Sequence, residues 1–139
     1  FRSKAKFAVD PIVKDAQRRL NEASSGKKAP LSGLVRPWGK KKGKIVPGWS
    51  QQVAVKGVKV QVRPSKTAFL TVTQRQIAPA AYDMAGRKTP NKLSRQLDLF
   101  SKPSRIMWPA AESKDDEVTR NLSVLVEFVN QETNSKLRY

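Results

Sequence analysis

Apolar positions recur along this chain with two different periods. Ile12, Ala16 and Leu20 stand at i, i+4 and i+8, and Val9 and Val13 widen the same stripe, the signature of a helix with one buried face. Asp10-Pro11 reads as its start, a capping side chain followed by proline at the first helical position, although Ala5, Phe7 and Ala8 permit an earlier one. Ser24-Ser25-Gly26 marks its end. From Val58 the period changes to two: Val58, Val60 and Val62 alternate with Lys59, Gln61 and Arg63, a half-buried strand. Val53 and Val55 share the alternation in the opposite phase, so Lys56-Gly57 reads as a bulge or tight turn inside a longer strand region. Arg63-Pro64-Ser65-Lys66 turns the chain, and Ala68–Thr73 returns as a second strand.

The helical period comes back at the C-terminal end. Val118, Leu122, Leu125, Val126 and Val129 stand at i, i+4, i+7, i+8 and i+11, with Val124 and Phe128 extending the stripe. Ser113 to Asp116 has the spacing of a capping box, with an acid in the place of the usual glutamate. Glu112, Asp115, Asp116 and Glu117 suit the positive end of a helix dipole, and Lys136 and Arg138 the negative end. The helix expected over 113–136 has about 20 residues in regular turns, about 30 Å, enough to cross a small sheet.

Between these elements lies Ile77–Glu112. Pro79-Ala80-Ala81-Tyr82 predicts a short helical turn closed by Gly86, and Asn91 caps a second helix with Leu93, Leu97 and Phe100 on one face. Pro103 closes it, and Ile106-Met107-Trp108 reads as an edge strand. The whole stretch predicts the hinge on which the N-terminal and C-terminal helices fold back against the sheet.

Charge changes the picture more than composition does. The 139 residues carry a net charge of +17, and twelve Lys and Arg with no Asp or Glu lie between Ala23 and Tyr82, +12 of that total. The remaining sixteen basic residues meet all eleven acids and leave +5. One end of the molecule is therefore strongly positive and the other nearly neutral, a distribution suited to a polyanion or to head-to-tail stacking. Over 23–52 prolines, glycines and lysines break any period, which predicts an extended basic arm or hairpin ordering against a neighbour. Within it Arg36, Lys40, Lys41, Lys42 and Lys44 are candidate phosphate contacts. Trp38, beside them, with Trp49, Tyr82 and Trp108, are candidate anchors of a subunit interface.

The chain has no cysteine and no histidine, which removes disulfides, thiol nucleophiles, the common zinc sites and the usual proton shuttle at neutral pH. No glycine-rich phosphate loop is present. Asp115 and Asp116 are adjacent, so on a helix they point apart and serve as helix-start charges, not as a carboxylate pair. No catalytic, cofactor-binding or metal site is expected. No apolar run approaches the ~20 residues that span a bilayer, so no membrane partner is expected either. The first residue, Phe1, is not a methionine, which points to part of a longer or processed product.

Ala80-Ala81-Tyr82-Asp83-Met84-Ala85-Gly86-Arg87-Lys88, a short Leu/Phe helix, Ser104-Arg105-Ile106-Met107-Trp108-Pro109-Ala110-Ala111-Glu112, and a long helix ending Asn134-Ser135-Lys136-Leu137 together resemble the tail-completion or neck proteins of long-tailed bacteriophages, especially those of actinobacteria. Pro47-Gly48-Trp49 and the strand from Val58 to Val62 fit the same order, so the resemblance runs from Trp38 to the C-terminus. It implies an α+β fold in one domain: a small, mostly antiparallel sheet flanked by an N-terminal helix and a long C-terminal helix. It also implies a non-enzymatic virion subunit, a homo-oligomeric ring at the head–tail junction or the top of the tail. Its expected partners are its own copies, other connector and tail proteins, and genomic DNA through phosphates. Its expected places are the virion and, during assembly, the host cytoplasm. The alternative reading is a DNA- or RNA-binding module that contacts phosphates through the 36–44 run.

Overall fold

The computed structural model describes residues 1–24, 37, 39–45, 47–63, 68–99 and 101–138. In chain order the elements are α1 (Arg2–Ser24), a small hairpin of β1 (Lys40–Lys41) and β2 (Lys44–Ile45), α2 (Gln51–Gly57), the ribbon strands β3 (Val58–Arg63) and β4 (Phe69–Gln74), then α3 (Ile77–Met84), α4 (Lys92–Leu97), α5 (Met107–Ser113) and α6 (Asp115–Leu137). The fold class is α+β, with an N-terminal helix and a long C-terminal helix around small antiparallel sheets. β1 pairs with β2, and β3 pairs with β4 from Val58↔Gln74 to Arg63↔Phe69.

The element on which the others converge is α1, not the 77–112 stretch: α2, β3, β4, α5 and α6 all pack on it. Its buried positions, Ala5, Ala8, Val9, Asp15, Ala16 and Leu20, form one face about 140° wide at about 100° per residue. Alanine at Ala5, Ala8 and Ala16 lets the neighbours approach its backbone closely. The α6 helix lies antiparallel along it, with Lys4 Nζ 4.3 Å from the Phe128 ring, Asn121 Nδ2 donating to the Ala8 carbonyl at 3.2 Å, and Ser113 Oγ donating to Asp15 Oδ2 at 3.1 Å. Packing also explains why Pro11 lies inside α1 and not at its start. An interior proline costs a helix about 3 kcal/mol in isolation. The turns on its N-terminal side are held by the burial of Ala5, Ala8 and Val9.

Around Leu20 the core gathers Ala16, Trp49, Ala54, Val58, Tyr82, Leu97, Ile106 and Ala110. Three further sequence expectations change here. Residues 51–57 form helix α2 and not the start of a strand. Its carbonyls explain the outcome: Gln17 Nε2 donates to Val55 O at 3.2 Å and Gln74 Nε2 to Ala54 O at 2.9 Å. A three-residue alternation such as Val53–Val55 is equally the start of a helical turn. Gly57 ends that helix where Gln74 passes so close that a β-carbon would collide with its Oε1.

Ile106-Met107-Trp108 opens helix α5 and is not an edge strand. The capping box expected at Ser113 is absent: Ser113 closes α5, its Oγ 3.1 Å from the Ala110 carbonyl oxygen, and α6 starts after Lys114 with no side-chain cap. Asp115, Asp116 and Glu117 do occupy its first turn, as read from the sequence. The cap read at Asn91 is present and reciprocal, Asn91 Oδ1 accepting from Ser94 N and Ser94 Oγ from Asn91 N, each at 2.8 Å. The expected turn at 64–66 and the place of Phe100 lie outside the described residues.

Candidate functional site

The basic arm is in part a hairpin. Lys40 pairs with Ile45 and Lys41 with Lys44, and the two corner residues, Lys42 at φ 51° and Gly43 at φ 75°, both adopt the left-handed conformation that tight hairpin turns demand. Glycine does this freely and lysine does not, so the Lys42 backbone is held there against its preference. Lys40, Lys41, Lys42 and Lys44 are all exposed. Arg36 and Trp38 lie outside the described residues.

Of the four candidate aromatic anchors, two lie inside their own subunit, which corrects the sequence reading. Trp49 is 7% and Tyr82 4% exposed, and their rings meet edge to face with centroids 5.7 Å apart. Trp49 thus packs against Tyr82 of α3 and takes part in the subunit's own core. The Arg105 guanidinium carbon lies 5.8 Å from the Tyr82 ring centroid. Burial raises the Tyr82 hydroxyl above its ordinary pKa, against the opposing pull of the Arg105 cation and a hydrogen bond with Ser101. Trp108 is different: it is 64% exposed, with its indole Nε1 donating to Glu112 one turn on at 2.8 Å.

Beneath Tyr82 lies a polar cluster that no sequence pattern announced. The Asp83 carboxylate accepts from Ser104 Oγ at 2.7 Å and from the backbone N–H groups of Ile106 and Met107 at 2.5 and 3.2 Å. Arg105 has a fully covered side chain. Its Nη1 donates to the carbonyls of Tyr82 and Ala85, its Nε to that of Ser101, and its Nη2 to Asp98 Oδ1 at 2.9 Å. Two acids and a buried arginine could suggest catalysis. Asp83 and Arg105 are instead engaged with backbone groups of α3, Ala85, Ser101 and the start of α5, and Asp98 with the Arg105 and Lys102 side chains, which makes the cluster a lock between α3 and α5.

Asp15 forms a second lock. It accepts from Arg18 Nη2 and Arg19 Nε, each at 2.7 Å, and from Ser113. Burial alone pushes its carboxyl up, but the two guanidiniums and the Ser113 hydroxyl outweigh that and bring it down to about 2.

The remaining feature is apolar. At about 100° per residue, the stripe from Val124 through Leu125, Val118 and Val129 to Val126 covers about 200° of α6. α1 covers its centre. One flank remains open as a groove of ≈ 290 Å³ lined by Phe1, Val62, Phe69, Leu122, Val126 and Val129. The other is a groove of ≈ 400 Å³ that includes Phe7 and Val124. Val126 is 58% exposed, Val124 71% and Phe7 72%.

Among the described residues no group of acids is arranged to hold a metal ion, and no helix is long and apolar enough to cross a membrane. Comparison with protein-family profiles, curated proteins and solved structures finds no match to this chain.

Proposed function

We propose that this chain is a non-enzymatic structural protein of a bacteriophage virion, a ring-forming subunit of the tail-completion or neck type at the head–tail junction or the top of the tail. The observation that carries the reading is the apolar stripe of α6, which reaches past α1 on both sides. One helix packed on one neighbour needs little more than a 100° stripe. Apart from Leu125, which borders both, the two open flanks are lined by different residues, and in this reading one copy's flank meets another copy's different flank. That is a heterologous contact, and repeated with a closing rotation it makes a ring. The lopsided charge supports the same arrangement: the carboxylate-free segment from Ala23 to Tyr82 turns toward the DNA path, and the near-neutral helical part toward neighbouring copies. The wording of the 77–112 stretch, similar to that of the phage neck proteins, supports the virion as the place. Other connector and tail proteins are then its further partners, and host cytoplasm its place during assembly.

Mass photometry of the purified protein and electron microscopy of particles that contain it test the proposal. A closed oligomer of one discrete mass, and density for this chain at the neck or tail top, are expected. A protein that stays monomeric at all concentrations and is absent from particles overturns it.

A further inference from the structure

The ribbon β3–β4 has two unlike faces. The register pairs Val58 with Gln74, Val60 with Val72 and Val62 with Leu70 on the side that packs on α1. The pairs on the opposite side are Lys59 with Thr73, Gln61 with Thr71 and Arg63 with Phe69, and all but the half-buried Gln61 are exposed. Arg75 continues that alternation one position beyond the strand and is also exposed. The face thus carries three cations, two threonine hydroxyls and an amide, with the exposed Phe69 ring at its far end beside Arg63. No carboxylate lies anywhere in this part of the chain. The ion pairs found among the described residues all belong to other segments, and none of them involves Lys59, Arg63 or Arg75.

From this we infer that the outer face of the β3–β4 ribbon is a second nucleic-acid contact, separate from the 40–45 hairpin, and that its occupant is duplex DNA held by its phosphates. Charge decides in favour of a polyanion: uncompensated cations on a rigid, hydrogen-bonded strand pair are already positioned, so little ordering accompanies binding. Shape decides in favour of a duplex. A two-stranded ribbon is one of the few elements that the major groove, about 12 Å wide, admits. Lys59 and Arg63 stand four residues apart on one strand, about 13 Å at the strand rise. They can therefore reach phosphates on the two sides of such a groove while Gln61 and Thr71 lie between them. The contact is with backbone and not with sequence, since lysine and arginine bound to phosphates carry no base information. It extends the DNA-facing part of the reading above but does not depend on ring formation.

The test is fluorescence anisotropy with a short labelled duplex of arbitrary sequence, across a salt series, at protein concentrations low enough to be monomeric. K59Q/R63Q/R75Q should weaken binding at least about tenfold near 0.1 M salt. It should reduce the slope of log K against log salt by between about 2 and 3, at about 0.9 for each phosphate no longer neutralised. The charge-conserving variant K59R/R63K/R75K should retain both. All three side chains are exposed, so matching thermal melts are expected. K40Q/K41Q/K42Q/K44Q should produce a separate, additive weakening. Affinity and slope unchanged in K59Q/R63Q/R75Q overturn the inference. So does tighter binding to single-stranded DNA than to duplex, or binding to polyglutamate as strong as to DNA. Failure of ring assembly would leave these results untouched, so the two proposals fail separately.

Discussion

Asp83 caps a helix to which it does not belong. Its Oδ1 accepts the N–H of Ile106, the residue before α5, from 23 positions away in sequence. The same oxygen takes the Ser104 hydroxyl and the Met107 N–H, so one carboxylate sets both the start of α5 and its angle to α3. Removing it strands buried donors. Asp83→Ala should cost about 3 kcal/mol of unfolding free energy, the range for unpaired buried polar groups near a charge. Asp83→Asn keeps an acceptor oxygen and should cost about half as much. The midpoint of urea unfolding reads both, and equal midpoints for the three proteins would contradict the cap.

Trp49 and Trp108 should separate cleanly on substitution. Trp49→Ala removes a buried ring from the core around Leu20 and should cost about 3–5 kcal/mol. Trp108→Ala exchanges an exposed ring for a small side chain and should stay within about 0.5 kcal/mol in monomer stability. Thermal melts distinguish the two. If Trp108 anchors a subunit contact, its removal appears in oligomer mass and not in the melt.

The flanks of α6 supply the direct test of assembly. Val124→Asp and Val126→Asp each place a charge on an apolar surface that is already solvent-exposed in the monomer. Monomer stability should move by less than about 1 kcal/mol. Each substitution alone should shift mass-photometry distributions from ring to monomer, because every heterologous contact uses both flanks. A ring that survives both variants removes α6 from the interface.

Acid should loosen the contact between α1 and the junction of α5 and α6. The folded-state pKa of Asp15 is depressed to about 2 from the ordinary 3.8. The stability it contributes is therefore complete above about pH 5 and is lost as pH falls through 4 toward 2. Arg18 is half exposed, so solvent screening discounts the contribution to about 1–2 kcal/mol. Asp15→Asn should be less stable than the unchanged protein at pH 7 by about that amount. The difference should shrink between pH 5 and pH 2 in a denaturation series.

Gly57 should not tolerate a side chain. Gly57→Ala drives a β-carbon into Gln74, and pushing that side chain aside also breaks the hydrogen bond from its amide to the Ala54 carbonyl. Overpacking of this kind costs about 1–3 kcal/mol. A lowered melting temperature, with the near-ultraviolet signal of Trp49 altered, is the expected result.

Periodicity and local chemistry were enough wherever one segment's own pattern chose its structure. The alternation from Val58 to Val62 and the return through Thr73 are the ribbon, the cap at Asn91 is present, and the stripe from Val118 to Val129 is α6. The exposed lysines of the 40–45 turn were also legible, because charge and a glycine corner need no distant partner. Legibility failed where a distant residue cast the deciding vote. Val53–Gly57 is a helix because Gln17 and Gln74 take its carbonyls. Ile106–Trp108 starts a helix because Asp83 takes its N–H groups. Trp49 and Tyr82 left the candidate interface because each found the other.

Residue order alone established the helical ends, the ribbon and the gathering of positive charge into one carboxylate-free segment. These follow from spacing and from side-chain type, properties that a residue carries wherever it goes. Which helix lies at the centre, which aromatics are buried, and which flanks of α6 stay open depended on the folded arrangement. They are set by hydrogen bonds and packing between positions as far apart as Asp15 and Ser113, and no local pattern encodes who will be beside whom.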